Sequence, residues 1–358
     1  MTETNNPSEI STRLPCLDGL RAIGIIFVMM AHLQNVLAWH IAGFGKAIWD
    51  GLGPLGVNLF FGLSGYIITH LFVREFRRSG TVSLRNFYMR RVLRIFPAFY
   101  LYLAVICALV FLGVLKIPLV QLARAAAYLT NYYRCYGTTD FWFVGHTWSL
   151  AMEEQFYLFW PVFLILVRVD LGKGLALMLI VLMPVLRVAC YFLLPASRSG
   201  LGETTHTSVD LLMYGCLLAF LEGNSRFEWA MDCLKKWVFP LGAGVFLLFV
   251  HPLLENHFRG VYELPIGISL EAGLIAFIVA WCLRNPLSMG GAFLNSQFMM
   301  HIGVLSYSLY LWQQLFLTNL NQTILGAFPI GIFFSYAAAC ASYYLMEKRF
   351  LNLRRQYR

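Results

Sequence analysis

Long apolar runs separated by short polar connections dominate the chain. Ten of these runs are long enough to read as membrane spans, centred near Phe27, Leu63, Val105, Phe159, Ile180, Leu212, Gly244, Ala276, Leu309 and Phe334. About 20 mainly apolar residues in helical conformation cross the hydrocarbon of a bilayer. Only helices and closed barrels satisfy their own backbone there. The pattern therefore predicts an all-α fold, a polytopic membrane helical bundle of about ten transmembrane helices, as one domain over residues 1–358. Several spans carry glycine, proline or a charge, which predicts packing against neighbouring helices rather than lipid on every side. The segment from Ile117 to Tyr133, interrupted by Gln121 and Arg124, reads as interfacial. No repeat of fixed period is apparent, so the inverted halves of many secondary transporters find little support.

Composition agrees with the pattern. The chain is 59% hydrophobic and 13% charged, against about a quarter charged in soluble proteins. With the amino terminus in the cytoplasm and ten spans, most of the 27 lysines and arginines fall in cytoplasmic segments, as the positive-inside rule requires. Both termini are then cytoplasmic. Membrane topology accounts for the net charge of +9, and no nucleic-acid partner is needed. The stretch Met1 to Thr12 contains Glu3 and Glu9 and lacks a basic region, so no cleavable signal peptide is expected. The eight cysteines are scattered without a Cys-x-x-Cys pair, which points to small core residues and to neither a disulfide framework nor a metal site.

The polar residues inside the spans are the candidate chemistry. Arg21 and His32 are eleven residues apart in the first span, three helical turns plus about 20°, so they share a face and stand about 16 Å apart along the axis. Charge deep in a bilayer is costly and marks a functional site by default. The alternative is that Arg21 snorkels to the headgroups and His32 is an interhelical hydrogen-bonding residue. The longest cytoplasmic loop carries Arg74, Arg77, Arg78, Arg85, Arg90, Arg91 and Arg94, and no lysine. A positive-inside loop on anionic lipid explains most such runs. Arginine alone adds a fork that grips phosphate bidentately, and Arg90 and Arg94 share a helix face. In the fourth span His146, Ser149, Glu153 and Tyr157 form one polar stripe beside Glu154 and Gln155, with an interfacial cluster near the headgroups as the alternative. Two further places, His206 with Asp210 and the run from Ser306 to Gln314, read as chemistry or as interhelical glue. Arg187 in the fifth span needs a counter-charge, from Asp210 or a glutamate of the fourth span.

Assembled, these motifs resemble the acyltransferase 3 family of integral membrane acyltransferases. The matching elements run in order along nearly the whole chain. They are Leu17-Asp18-Gly19-Leu20-Arg21 followed by His32, then Gly56 to Tyr66, Arg90-Arg91-Val92-Leu93-Arg94-Ile95-Phe96-Pro97, Trp148 to Tyr157 with the family's acidic residue at Glu153, Ser306 to Trp312, and Tyr344 to Lys348. Three departures stand out. An SGNH-type domain of the kind that many relatives append is not expected here. Of an Arg-x-Asp element only Asp210 remains, and Gln313-Gln314 stands where many relatives carry a histidine.

The resemblance implies transfer of an acyl group, acetyl first among the candidates, from cytoplasmic acetyl-CoA to a hydroxyl of a cell-envelope or exported glycan. It places the chain in a bacterial cytoplasmic (inner) membrane, with the bilayer, acyl-CoA and a carbohydrate or lipid-linked glycan acceptor as partners. Arg90, Arg91 and Arg94 are then expected to hold the coenzyme A phosphates, with the pantetheine arm passing Arg21 toward His32 as general base. Glu153 is expected to orient the imidazole or stabilise its protonated form, and Asp18, His146, Ser149, Tyr157 and Asp210 to support the site. No metal is expected. The rival reading is a transporter or flippase with a proton relay through His32, Glu153, His206 and Asp210. A phosphate-bearing donor explains the adjacent arginine cluster; a proton-coupled carrier does not.

Overall fold

A computed structural model describes residues 14, 16–34, 36–37, 43–136, 142–318 and 327–357. The amino-terminal stretch read for a signal peptide lies outside the described residues. Eleven helices carry the argument: α1 (Leu17–Leu33), α2 (Gly43–Ser79), α3 (Leu84–Phe111), α4 (Leu119–Ala126), α5 (Trp142–Val167), α6 (Val169–Leu193), α7 (Asp210–Leu221), α8 (Val238–Phe258), α9 (Gly260–Arg284), α10 (Gln297–Phe316) and α11 (Ile330–Ala341). The described residues contain helices and no strands.

Among the described residues six helices are long and apolar enough to cross a membrane: α2, α3, α5, α6, α8 and α9. The other four expected centres also fall on helices. Of these, α1 has 17 residues and α7 and α11 have 12 each; α10 has 20 residues but carries the polar run from Ser306 to Gln314. The segment expected at the interface packs one face inward and leaves Leu119, Val120 and Leu129 exposed. It forms α4 and a short turn of helix over Thr130–Tyr136, in which Gln121 and Asn131 are buried and Asn131 bonds to Gln155 of α5.

Burial sorts the helices into a centre and a rim. In α2, 72% of the most apolar window is buried, against 22% in α6 and 17% in α8. α2 packs against α1, α7 and α9, and α10 closes the same group through α1. Rim helices expose large apolar side chains such as Val181, Leu166, Phe192 and Leu241, a surface that suits lipid rather than water.

Two close approaches bring the central helices together. A Cβ on Gly65 of α2 would lie 2.0 Å from the Leu212 carbonyl oxygen of α7, and one on Gly303 of α10 would lie 1.9 Å from the Asp18 carbonyl oxygen of α1. Backbones this close are typical of small-residue contacts between membrane helices. Gly65→Ala is therefore expected to lower stability by about 1–3 kcal/mol, read as a fall in Tm in detergent. Gly174→Ala on the rim, where a Cβ meets open space, should leave Tm unchanged or slightly raised, because alanine is the better helix former.

Candidate active site

α1, α2, α3, α5 and α10 enclose two adjoining cavities. The inner one, about 90 Å³, is lined by Arg21, Ser64, Arg91, Arg94, Glu153 and Tyr157, with Ser306, Tyr307 and Tyr310 from α10. The outer vestibule, about 270 Å³, is lined by Arg21, Arg74, Arg94 and Arg354 together with His70 and Glu347. Arg21, Ile67, Arg94, Ser306 and Tyr307 line both. A polar, strongly cationic mouth thus leads into a smaller chamber that holds a carboxylate.

Local spacing explains most of the chamber. Arg21 donates to Asp18 Oδ1 at 2.8 Å, one turn earlier on α1, which fixes the guanidinium at the junction of the two cavities. Glu153 accepts from Ser64 Oγ at 2.8 Å and from the Tyr157 hydroxyl, one turn on, at 3.2 Å. The Arg91 guanidinium sits over the Tyr157 ring at 5.3 Å and the Phe87 ring at 5.8 Å, a cation–π geometry that holds it flat against the wall. Among the described residues no group of His, Cys, Asp and Glu has a metal-binding arrangement.

The expected arginine trio is divided. Arg91 and Arg94, three apart, share the cavity face. Arg90 instead donates to Glu75 Oε2 at 3.0 Å and to the Tyr357 carbonyl at 2.7 Å, tying the carboxyl-terminal tail to the last turns of α2. Positions three apart on a helix are as close as positions four apart, so spacing alone did not choose between the pairs.

Glu153 and His32, expected to act together, have different hydrogen-bond partners. Among the described residues no hydrogen bond joins them; His32 Nδ1 meets Gln313 Oε1 at 2.8 Å, and its ring stands edge-on to Trp142 at 5.4 Å. The cause is depth. α1 and α5 run in opposite directions, so His146, at the start of α5, lies level with His32, and Glu153 lies about 10 Å farther toward Arg21. The lining of the inner cavity along α10 ends at Tyr310, one turn before Gln313. His32 is not among the residues that line this cavity, although its partner Gln313 stands only one turn past Tyr310.

His146 and Ser149 support that end. The Tyr310 hydroxyl donates to the His146 carbonyl at 2.7 Å and lies 2.7 Å from Ser149 Oγ, while the His146 ring packs against Tyr310 and Tyr102. Asp210 is outside the cavities. It is fully buried against Arg187, whose Nη1 and Nη2 reach its two oxygens at 2.8 and 2.9 Å. Arg187 also donates to the Thr207 and Leu264 carbonyls and to Ser269 Oγ, and Ser269 Oγ donates to Asp210 Oδ2. This is a brace between α6, α7 and α9. His206 stacks in the open on Tyr132, apart from the Asp210–Arg187 pair.

Residue-by-residue reading passed over Arg354, His70, Ser64 and Gln313 as site residues. A signal existed for α10: Ser306, Tyr307, Tyr310, Gln313 and Gln314 fall at i, i+1, i+4, i+7 and i+8, one helical stripe. For Arg354 there was none, because only folding returns the carboxyl terminus to the vestibule.

A third cavity opens at the opposite end of α2, beside Pro54 and Asn58, about 24 Å along the helix from Arg74. It is lined by Trp148, Tyr191, Glu203, Glu255, Glu263 and Glu271 among others. Trp148 lines this cavity, and its neighbour Ser149 lines the inner one.

Similarity to known proteins accords with this geometry. A protein family described as "Acyltransferase domain", the acyltransferase 3 family, matches residues 14–347. Two similar proteins are O-acetyltransferase OatA of Staphylococcus aureus strain NCTC 8325 and of strain COL, each 31% identical over 340 residues, covering 89% of this chain and 53% of the relative. The chain thus spans about half the length of the curated relatives it matches. No solved structure matches it. With a match over nearly the whole chain and the motif residues gathered around one pair of cavities, the chain belongs to the acyltransferase 3 family.

Proposed function

We propose that this chain is a membrane-bound O-acetyltransferase that moves acetyl from cytoplasmic acetyl-CoA to a hydroxyl of an exported or cell-envelope glycan. In this reading it crosses the bacterial cytoplasmic membrane ten times, with both termini in the cytoplasm. The observation that carries the reading is the vestibule: four arginines converge on an opening that narrows to a chamber a third its size. Guanidinium forks suit the phosphates of a nucleotide-bearing donor, and the narrow chamber suits a slender thioester arm.

Arg74, Arg94 and Arg354 hold the phosphates, and Arg21 and Arg91 guide the arm past Glu153. His32 is the general base. Its ring removes the proton from the acceptor hydroxyl as that oxygen bonds to the thioester carbonyl carbon. The carbon–sulfur bond then breaks, and the imidazolium returns the proton to the departing coenzyme A sulfur. The acceptor approaches from the end of Asn58 and Trp148. Glu153, fixed by Ser64 and Tyr157, offsets the arginine charge midway along the path. A proton-coupled carrier finds no support in the pairing of Asp210 with Arg187.

The direct test incubates membranes containing the protein with radiolabelled acetyl-CoA and follows label into glycan. Label in glycan supports the reading; none above control membranes removes it. The arginine assignment has its own test. Arg94→Lys keeps charge and topology but loses the fork, so the apparent KM for acetyl-CoA should rise severalfold with normal membrane insertion. An unchanged KM in Arg91→Lys and Arg94→Lys combined returns the cluster to lipid contact. Arg90→Lys should alter KM less than Arg94→Lys, because Arg90 is engaged by Glu75 and Tyr357.

A further inference from the structure

The hydrogen bonds around His32 form a sequence with a single consistent assignment. The carbonyl of Trp142 can only accept, and Gln314 Nε2 lies 3.0 Å from it. Gln314 therefore turns its oxygen the other way, 3.2 Å from Gln313 Nε2, which must donate. Gln313 in turn presents Oε1 to His32 Nδ1 at 2.8 Å. An amide oxygen only accepts, so Nδ1 carries the proton. Trp142 closes the circuit, since its indole N–H donates to the Gln314 carbonyl at 3.2 Å and its ring packs on the imidazole at 5.4 Å. Gln313 is 0% and Gln314 3% exposed, so water offers no competing partner.

We propose that Gln313 is a positioning residue that fixes His32 in the Nδ1–H tautomer, and that Gln314 and Trp142 hold Gln313 in the one amide orientation able to do so. Nε2 is then left as the ring's basic lone pair, already aimed before substrate arrives. In the opposite amide orientation Gln313 would present an N–H₂ group to Nδ1, stabilise the Nε2–H tautomer and remove the base. A histidine in the wrong tautomer costs a hydrolase about 10⁴ in kcat. Here the amide is neutral, so the effect rests on proton placement and ring aim alone. This inference rests on the reading of His32 as the general base. It replaces Glu153 with Gln313 as the residue that orients the ring.

The experiment measures initial rates of label transfer from radiolabelled acetyl-CoA into the glycan of native membranes, per amount of folded protein, in four variants. Gln313→Met keeps length and removes the acceptor; its maximal rate should fall about 10–100-fold with the KM for acetyl-CoA within about twofold, a split that a merely structural residue does not produce. Gln313→Glu keeps an acceptor oxygen toward Nδ1 but loses the N–H donated to Gln314, so a rate several times that of Gln313→Met supports the assignment. His32→Ala should transfer about 10²–10⁴-fold more slowly than the parent. If Gln313→Met works within threefold of the parent while His32→Ala is slowed as expected, the positioning role is overturned and the general base stands. If His32→Ala itself works within threefold of the parent, the functional reading fails instead. Should Gln313→Met not fold, Gln314→Met decides: it leaves Gln313 free to turn, so a lowered maximal rate supports the assignment and an unchanged one overturns it.

Discussion

His32→Ala is expected to lower acetyl transfer by about 10²–10⁴, the usual range for loss of a general base, with membrane insertion and folded yield unchanged. The side chain is partly buried at the end of α1 and bonds to Gln313, and its removal empties a polar niche rather than the apolar core. Fold and topology are carried elsewhere, by the apolar faces of α1, α2 and α7. The measurement is label transfer from acetyl-CoA per folded molecule, beside gel filtration in detergent. Activity within threefold of the parent takes His32 out of the mechanism. A variant that is inactive only because it aggregates speaks for the alternative reading of the ring as interhelical glue.

Asp210→Ala should act in the opposite way, on stability and not on chemistry. It leaves the Arg187 guanidinium, 0% exposed, without its carboxylate partner in the centre of the bundle. Breaking a buried pair from one side costs about 3–5 kcal/mol, because the desolvated charge stays behind. The folded fraction in detergent should collapse, with specific activity of the surviving molecules near normal. Replacing both partners by apolar residues of similar size, Arg187→Met with Asp210→Leu, should recover much of the loss, because removing both charges removes the penalty. If Asp210→Ala folds normally but loses activity, Asp210 belongs to the site after all and the brace is secondary.

Much of this architecture was legible along the chain. The ten apolar centres all fall on helices, since exclusion of backbone polar groups from lipid leaves a long apolar run few other conformations. The costliest residues of the apolar runs, Arg21, Glu153, Arg187 and Asp210, were visible for the same reason. A charge in an apolar segment needs a partner or a wet cavity, and each has one. Arg21 and Glu153 line the inner cavity, while Arg187 and Asp210 meet each other.

Partner choice was not legible. The expected link between Glu153 and His32 required two helices to match in height, and height follows from which ends of α1 and α5 lie together. Once the chain reverses, His146 rather than Glu153 comes level with His32. Arg90 looked equivalent to Arg94 because helical spacing places both on one face. The returning carboxyl-terminal tail, through the Tyr357 carbonyl, and Glu75 engage Arg90 and leave the cavity to Arg91 and Arg94. Gln313 appeared in the sequence as the absence of a histidine, yet it is the residue that meets the imidazole. Sequence by itself thus determined which residues are too polar to face lipid, because that cost is local to each side chain. Which polar group meets which was decided only by tertiary structure, because a hydrogen bond is satisfied over about 3 Å and helix register sets positions in steps of several ångströms.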